Sequence, residues 1–147
     1  YYKSFPVSMQ RKLAAYAQGG GRMLVSGAYL GSDMTQEDDA AWLGRYLKAS
    51  YDGTVKTDTL SGANGLGLQF DFFRTLNPDH YAATRTDVLR PEGGAICAMQ
   101  YSDGQSAAVA YSGHDYKAFV MAFPFECITQ APTRSKLMQG ILNYLLQ

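Results

Sequence analysis

Apolar side chains recur at helical spacing near both ends of the chain and at every second position through much of its middle. At the N-terminal end, Met9, Leu13, Tyr16 and Ala17 fall on one face of a helix predicted over residues 6–18. Pro6 suits its first position and Gly19 its stop. A short apolar-centred strand follows over 22–26, and then a glycine-bracketed turn, Gly27-Ala28-Tyr29-Leu30-Gly31. A second helix is predicted over 35–48. Thr35-Gln36-Glu37-Asp38 reads as a capping box with Asp in place of Glu, and Glu37, Asp38 and Asp39 complement the helix dipole. Ala40, Leu43, Tyr46 and Leu47 form its inward face, with Trp42 packed partly against the sheet or a neighbouring element.

Between residues 51 and 126 the period shortens to two. The run 54–60 alternates weakly. The run 66–73 alternates well and places Leu66, Leu68, Phe70 and Phe72 on one face. Strands over 95–101 and 105–111 flank Ser102-Asp103-Gly104, a hairpin signal because Asp-Gly tolerates positive φ. A second turn at 112–115 leads to 116–123, whose unbroken hydrophobicity predicts burial on both faces. A last helix over 133–146 carries Leu137, Met138, Ile141, Leu142 and Leu145 as its apolar stripe. The order helix–strand–helix, hairpins, strand–helix predicts a single α/β domain over 1–147, with a mixed sheet and an antiparallel hairpin extension.

Composition narrows the partners. The 147 residues carry 13 basic and 13 acidic side chains. That balance argues against nucleic acid and an anionic membrane surface as partners. No apolar run approaches the ~20 residues that span a bilayer, so membrane insertion is not expected. Cys97 and Cys127 each sit in an apolar, strand-like run and read as small core residues, with a disulfide between them open if their strands are neighbours. The opening Tyr1-Tyr2-Lys3-Ser4-Phe5-Pro6 has neither an initiator Met nor a signal-peptide pattern, so the chain is expected to be a processed product or a piece excised from a larger protein.

Candidate chemistry gathers at the Gly-x-Tyr-x-Gly turn. Strand-to-helix elbows of this form present catalytic nucleophiles in many α/β enzymes. Tyr29, at the centre, is a poor nucleophile because its phenol is protonated at neutral pH. Tyr29 either stacks a ligand at the carboxyl edge of the sheet or packs against the second helix. Ser26, Ser32 and Asp33 lie around the same turn, as polar contacts to a ligand or as caps for the next helix. His114 sits beside Asp115, and His80 lies in Asn77-Pro78-Asp79-His80. A turn His beside an Asp is ordinarily solvated, and two distant histidines make no zinc site. The pair Asp38-Asp39 serves the helix dipole, since nothing sets two carboxylates across a cleft. No cofactor or metal is expected. The 11 tyrosines, seven phenylalanines and one tryptophan allow carbohydrate contact but draw no platform.

Two landmarks carry a family resemblance. Gly27-Ala28-Tyr29-Leu30-Gly31 resembles the Gly-x-Cys-x-Gly elbow of class I glutamine amidotransferases, and Val120-Met121-Ala122-Phe123-Pro124-Phe125-Glu126 resembles that family's closing strand, which ends Phe-His-Pro-Glu. Position by position, Tyr29 stands for the Cys, Pro124 for the His, and Glu126 keeps the Glu. The run from Phe5-Pro6 through Leu24-Val25-Ser26-Gly27-Ala28-Tyr29-Leu30-Gly31-Ser32-Asp33 is similar to degenerate amidotransferase-like domains of large secreted Bacteroidetes proteins, often labelled xanthan lyase-like. The resemblance implies a flavodoxin-like three-layer sheet of amidotransferase type, incomplete at the N-terminus because no strand precedes the elbow strand. It also implies a secreted, periplasmic or cell-surface setting.

Glutamine hydrolysis needs a thiolate and a His to shuttle the proton, and neither stands at its position. The expected function is therefore a non-catalytic accessory or binding domain of a polysaccharide- or cell-wall-processing protein. Its partners are expected to be carbohydrate and other domains of the same parent chain. The expected ligand position is Gly27, Tyr29, Ser32, Asp33 and Glu126. One alternative is a hydrolase or lyase with a site near Ser26, Ser32 or Asp33, which needs His114 or Glu126 within hydrogen-bond reach. The other is an oligomerisation module in which a partner covers the open sheet edge.

Overall fold

The computed structural model describes residues 3–147. Helix α1 (Val7–Gln18) stops at Gly19, as its sequence dictates, although Pro6 holds the cap position and not the first turn. Its inward face differs from the apolar stripe. Gln10 and Ala17 are buried, while Met9 and Tyr16 are 44% and 53% exposed. The cause is chemical: the Gln10 amide donates to the Phe5 carbonyl and to the Asp39 carboxylate, both at 2.8 Å, so its burial leaves no donor unsatisfied.

Strand β1 (Arg22–Ser26) leads through the 27–31 turn and a 3-10 turn, Ser32–Met34, to α2 (Glu37–Trp42). That helix continues as a π-helical turn, Leu43–Leu47, and ends on Lys48 in the left-handed region at φ 57°. The expected capping box does not form, because Gln36 is the cap residue and bonds no amide through its side chain. Of the expected inward face, Leu43 and Leu47 are buried, Tyr46 is half-buried and Ala40 is exposed. Trp42 reaches α1, its indole N–H donating to the Gln10 carbonyl at 3.0 Å, and its ring lies 5.2 Å from that of Phe5. Asp39 is buried rather than facing solvent at the helix start. It pairs with Lys3 at 3.0 Å, and the amide bond from Gln10 together with that ammonium holds its carboxyl below the ordinary range.

The β region has eight strands once β1 is counted. Strand β2 (Ala49–Lys56) pairs antiparallel with β5 (Arg85–Pro91) as a separate two-stranded sheet. The other sheet has six strands in the order β1-β8-β7-β6-β3-β4, built with β3 (Ala63–Gly65), β4 (Leu68–Phe70), β6 (Ile96–Tyr101), β7 (Ser106–Ser112) and β8 (Lys117–Met121). Only β1 and β8 pair in parallel, and the remaining neighbours are antiparallel, so the sheet is mixed with a hairpin extension.

Residues 66–73 are not one strand. Leu66 and Gly67 take positive φ (53° and 79°), making a tight turn between β3 and β4, and Leu66 is exposed while Phe70 and Phe72 are buried. Cys97 is exposed and not core, Cys127 is buried, and both thiols are free.

Strand β8 is buried on both faces. Phe119, Met121 and Phe123 join Leu137, Ile141 and Leu145 of α3 (Ala131–Leu146) in one core cluster. Ala118, Val120 and Ala122 join Ala17 of α1 with Leu43 and Leu47 in the other. Within the α3 stripe, Met138 is half-buried and Leu142 exposed.

The sheet ends at β1. Its ladder to β8 includes Lys117 N–H to Gly21 C=O and Gly27 N–H to Met121 C=O. Parallel pairing alternates along a strand, so Arg22, Leu24 and Ser26 turn their amides and carbonyls outward. The Tyr16 hydroxyl accepts from the Arg22 amide at 3.2 Å and donates to the Arg22 carbonyl at 3.3 Å.

Candidate functional site

The chain segments that the sequence singled out meet at one end of β1. A cleft of about 390 Å³ is lined there by Ser26, Gly27 and Tyr29 of the turn, by Asp33, by Pro124 and Glu126 beyond β8, and by Tyr81. The parallel β1–β8 pair makes this meeting necessary, since both strands end at the same side of the sheet. The Ser26 hydroxyl oxygen accepts the Phe125 amide at 3.3 Å and ties the two strand ends together. Four of the five expected site residues, Gly27, Tyr29, Asp33 and Glu126, share this lining. Ser32 does not: its amide is directed to Asp87.

The turn is relaxed. Neither Tyr29 nor its bracketing glycines take positive φ, and the Asp33 amide bonds the Tyr29 carbonyl at 3.0 Å in a helix-like turn. Gly31 is required for close approach. A Cβ there would meet the Leu89 side chain at 2.9 Å and the Tyr51 side chain at 3.1 Å. Tyr29 is 45% exposed over the cleft, so its ring is open to solvent and not packed away under α2. Asp33 accepts from the Ser4 hydroxyl at 2.8 Å.

Two residues at this site were invisible to sequence reasoning. Tyr81 arrives from the loop between β4 and β5, and burial, then Tyr29, Cys127 and Glu126, hold its phenol above the ordinary value. Asp87, on β5, anchors the turn from beneath. Its amide donates to the Ala28 carbonyl at 2.9 Å, and its Oδ2 accepts from Gly31 and Ser32 amides at 3.0 and 2.7 Å. Only 1% of Asp87 is exposed, and Oδ1 is buried with no hydrogen-bond partner among the described residues. Burial is the largest influence on this carboxyl and raises its pKa above the ordinary aspartate value, against the two amides that lower it. An Asp inside the strand-like run Thr86-Asp87-Val88-Leu89 is the one sequence signal that would have marked it.

Neither imidazole lines the cleft. His80 stacks on Phe73 with ring centroids 3.7 Å apart and bonds Asn77. Asp115 Oδ1 accepts from the Tyr111 hydroxyl and the Tyr116 amide, and no hydrogen bond joins Asp115 to His114 among the described residues. Cys127, whose thiol burial pushes up to about 11, is likewise outside the lining. The lining thus offers hydroxyls, carboxylates and two phenols, but no nucleophile beside an imidazole base. Among the described residues no group of three or more His, Cys, Asp or Glu is placed to hold a metal ion.

No protein-family model matches the chain, and no curated protein matches it in sequence. Solved structures do match in fold. A β-galactosidase from Rahnella sp. R3 superposes at a TM-score of 0.63 with 15% identity, over 93% of this chain and 20% of that one. An exo-β-1,4-mannosidase from Opitutaceae bacterium strain TAV5 gives 0.54 with 12% identity, over 97% and 23%. A cytoplasmic protein from Salmonella typhimurium LT2 gives 0.57 with 15% identity, over 92% and 57%. The chain therefore spans about a fifth of the length of the two glycosidase chains. At these identities the likeness is one of fold.

Proposed function

We propose that this chain is a non-catalytic, carbohydrate-associated domain of flavodoxin-like, amidotransferase type that works beside other domains of a longer, exported protein. The observation that carries the reading is the cleft lining. On the amidotransferase resemblance, its strand ends and turn correspond to the places where such folds do chemistry, and Tyr29 and Pro124 stand at the thiol and imidazole positions. The exposed Tyr29 ring, Tyr81 and the Asp33 and Glu126 carboxylates form an aromatic and acceptor-rich wall suited to sugar hydroxyls. The glycosidase chains that share the fold, of which this chain spans 20% and 23%, favour a carbohydrate setting over other ligands for a cleft of this chemistry.

Glycan-array binding by the intact chain, Tyr29→Ala and Glu126→Gln tests the proposal. Each substitution is expected to weaken binding by about tenfold or more, the effect of one lost contact worth ~1.4 kcal/mol. Equal binding by all three proteins overturns the assignment of ligand to this cleft. Turnover of aryl glycosides that Glu126→Gln abolishes overturns the non-catalytic part.

A further inference from the structure

At the far end of the six-stranded sheet, five strand steps or about 24 Å from β1, lies a second cleft of different chemistry. It occupies about 480 Å³ between the β3–β4 hairpin and the first turn of α3. We propose that this cleft binds a neutral, hydroxyl-rich ligand of one or two sugar rings, independently of the cleft at the 27–31 turn.

Three residues with carboxamide side chains line it: Asn64 from β3, Gln69 from β4 and Gln130 at the cap of α3. Asn64 and Gln69 are cross-strand partners, so their spacing is set by the hairpin. The hydroxyls of Thr129 and Thr133 complete the wall on the helix side. None of these five side chains makes a hydrogen bond to another of the described residues. Each amide offers two donors and an acceptor, and each hydroxyl offers both roles. A sugar hydroxyl also donates and accepts at once, so the two sets match without any net charge.

The same lining excludes the other ligand classes. It holds no Lys, Arg or His, so phosphate and carboxylate ligands have no counter-ion. Its only charged group, Asp71, is already engaged: Oδ1 accepts the Phe72 amide at 2.8 Å, and the Arg74 guanidinium sits at 3.2 Å. An apolar ligand finds little more than Phe70, which is 7% exposed and held edge-on against Phe72 in the core.

The walls are pre-organised, which limits the ordering that binding has to supply. The Thr129 amide bonds the Asp71 carbonyl at 3.0 Å, and Phe72 bridges Ile128, so the segment entering α3 is stitched to the end of β4. On the other side the Ser61 amide donates to the Ser102 hydroxyl at 3.0 Å, and the Ser102 amide to the Gly62 carbonyl at 2.9 Å. Gly62 takes φ +94° with its Cβ position 2.1 Å from the Phe70 carbonyl oxygen, so only glycine lets the strands close this tightly.

The test is an amide-resolved NMR titration of the intact chain with galactose, mannose, glucose and their β-linked disaccharides, with inorganic sulfate and glucose 6-phosphate as charged probes. A neutral sugar is expected to shift Asn64, Gln69 and Gln130 side-chain signals saturably, with a Kd on the order of 1 mM. Asn64→Ala and Gln130→Ala, both at exposed positions, should each weaken that binding about tenfold or more at unchanged Tm, and Tyr29→Ala should leave it unchanged. Three results overturn the proposal: no saturable shift at these residues with any neutral sugar, saturation by sulfate in place of sugar, or binding by Asn64→Ala and Gln130→Ala equal to the parent's. Loss of binding in Tyr29→Ala with these signals silent would instead place all recognition at the 27–31 turn.

Discussion

Replacing Asp87 tests how the 27–31 turn is held. In Asp87→Ala the amides of Gly31 and Ser32 lose their shared acceptor, Oδ2, at a site where Asp87 is only 1% exposed. Each orphaned buried amide costs about 1–3 kcal/mol, or about 2–6 for the pair. Removing a buried carboxylate that also carries an unpartnered Oδ1 offsets part of that loss. The net destabilisation expected is about 2–4 kcal/mol. In urea this moves the unfolding midpoint by about 1–2 M for a typical slope. Asp87→Asn keeps an acceptor for both amides without the charge, so it should lose about 1 kcal/mol or less.

The two variants also separate by pH. The folded carboxyl is raised above its ordinary value, chiefly by burial, so the contribution of Asp87 is largest below about pH 4 and falls as pH rises through the folded pKa. Stability of the parent minus that of Asp87→Asn should therefore decline with rising pH from that point. Urea unfolding at several pH values, with hydrogen exchange of the Gly31 and Ser32 amides, measures both effects. An Asp87→Ala protein within about 0.5 kcal/mol of the parent, whose two amides exchange no faster, would refute the argument.

Asp39 titrates in the opposite sense. Its carboxyl is held low by Gln10 and then Lys3, so its stabilisation is present above about pH 4 and is lost as pH falls through the folded pKa; the gap between the parent and Asp39→Asn should close in acid unfolding curves. Alkylation by iodoacetamide, read by mass spectrometry, should modify Cys97 in the native chain and spare Cys127, and equal labelling of both would contradict their difference in burial. Leu66→Asn places an αL-tolerant residue before Gly67 at φ 53° and should raise thermal stability by about 0.5–1 kcal/mol, with a fall in Tm counting against the turn assignment. Phe123→Ala, in the cluster with Phe70, Phe72 and Tyr101, should cost about 3–5 kcal/mol by chemical denaturation.

Elements whose burial is apolar were legible in the sequence. The β6–β7 hairpin at Ser102-Asp103-Gly104 and the doubly buried β8 follow from period and turn chemistry, and Gly19 marks the stop of α1. Elements that bury polar groups were not. Strand β5 hides Thr86 and Asp87, whose partners are the Tyr101 hydroxyl and the amides of the 27–31 turn, all far away in the chain. Gln10 and Asp39 likewise satisfy each other inside, which turns α1 away from its apolar stripe. The run 66–73 opens inside the turn that folds 63–65 onto 68–70, and only Gly65 and Gly67 marked that bend. The convergence of Tyr29, Asp33 and Glu126 was readable because two strand ends and a turn carried it; Tyr81 came from a loop with no periodic signal.

Tyr16 has a consequence for the chain in solution. An open strand invites a foreign strand to add to it, and β1 is five residues long with Leu24 37% exposed. By occupying both outward groups of Arg22, the phenol shortens the template to the positions of Leu24 and Ser26, too little for a stable cross-chain ladder on its own. A single side chain of α1 thus acts as a gatekeeper against self-templated aggregation at the β1 border of the sheet.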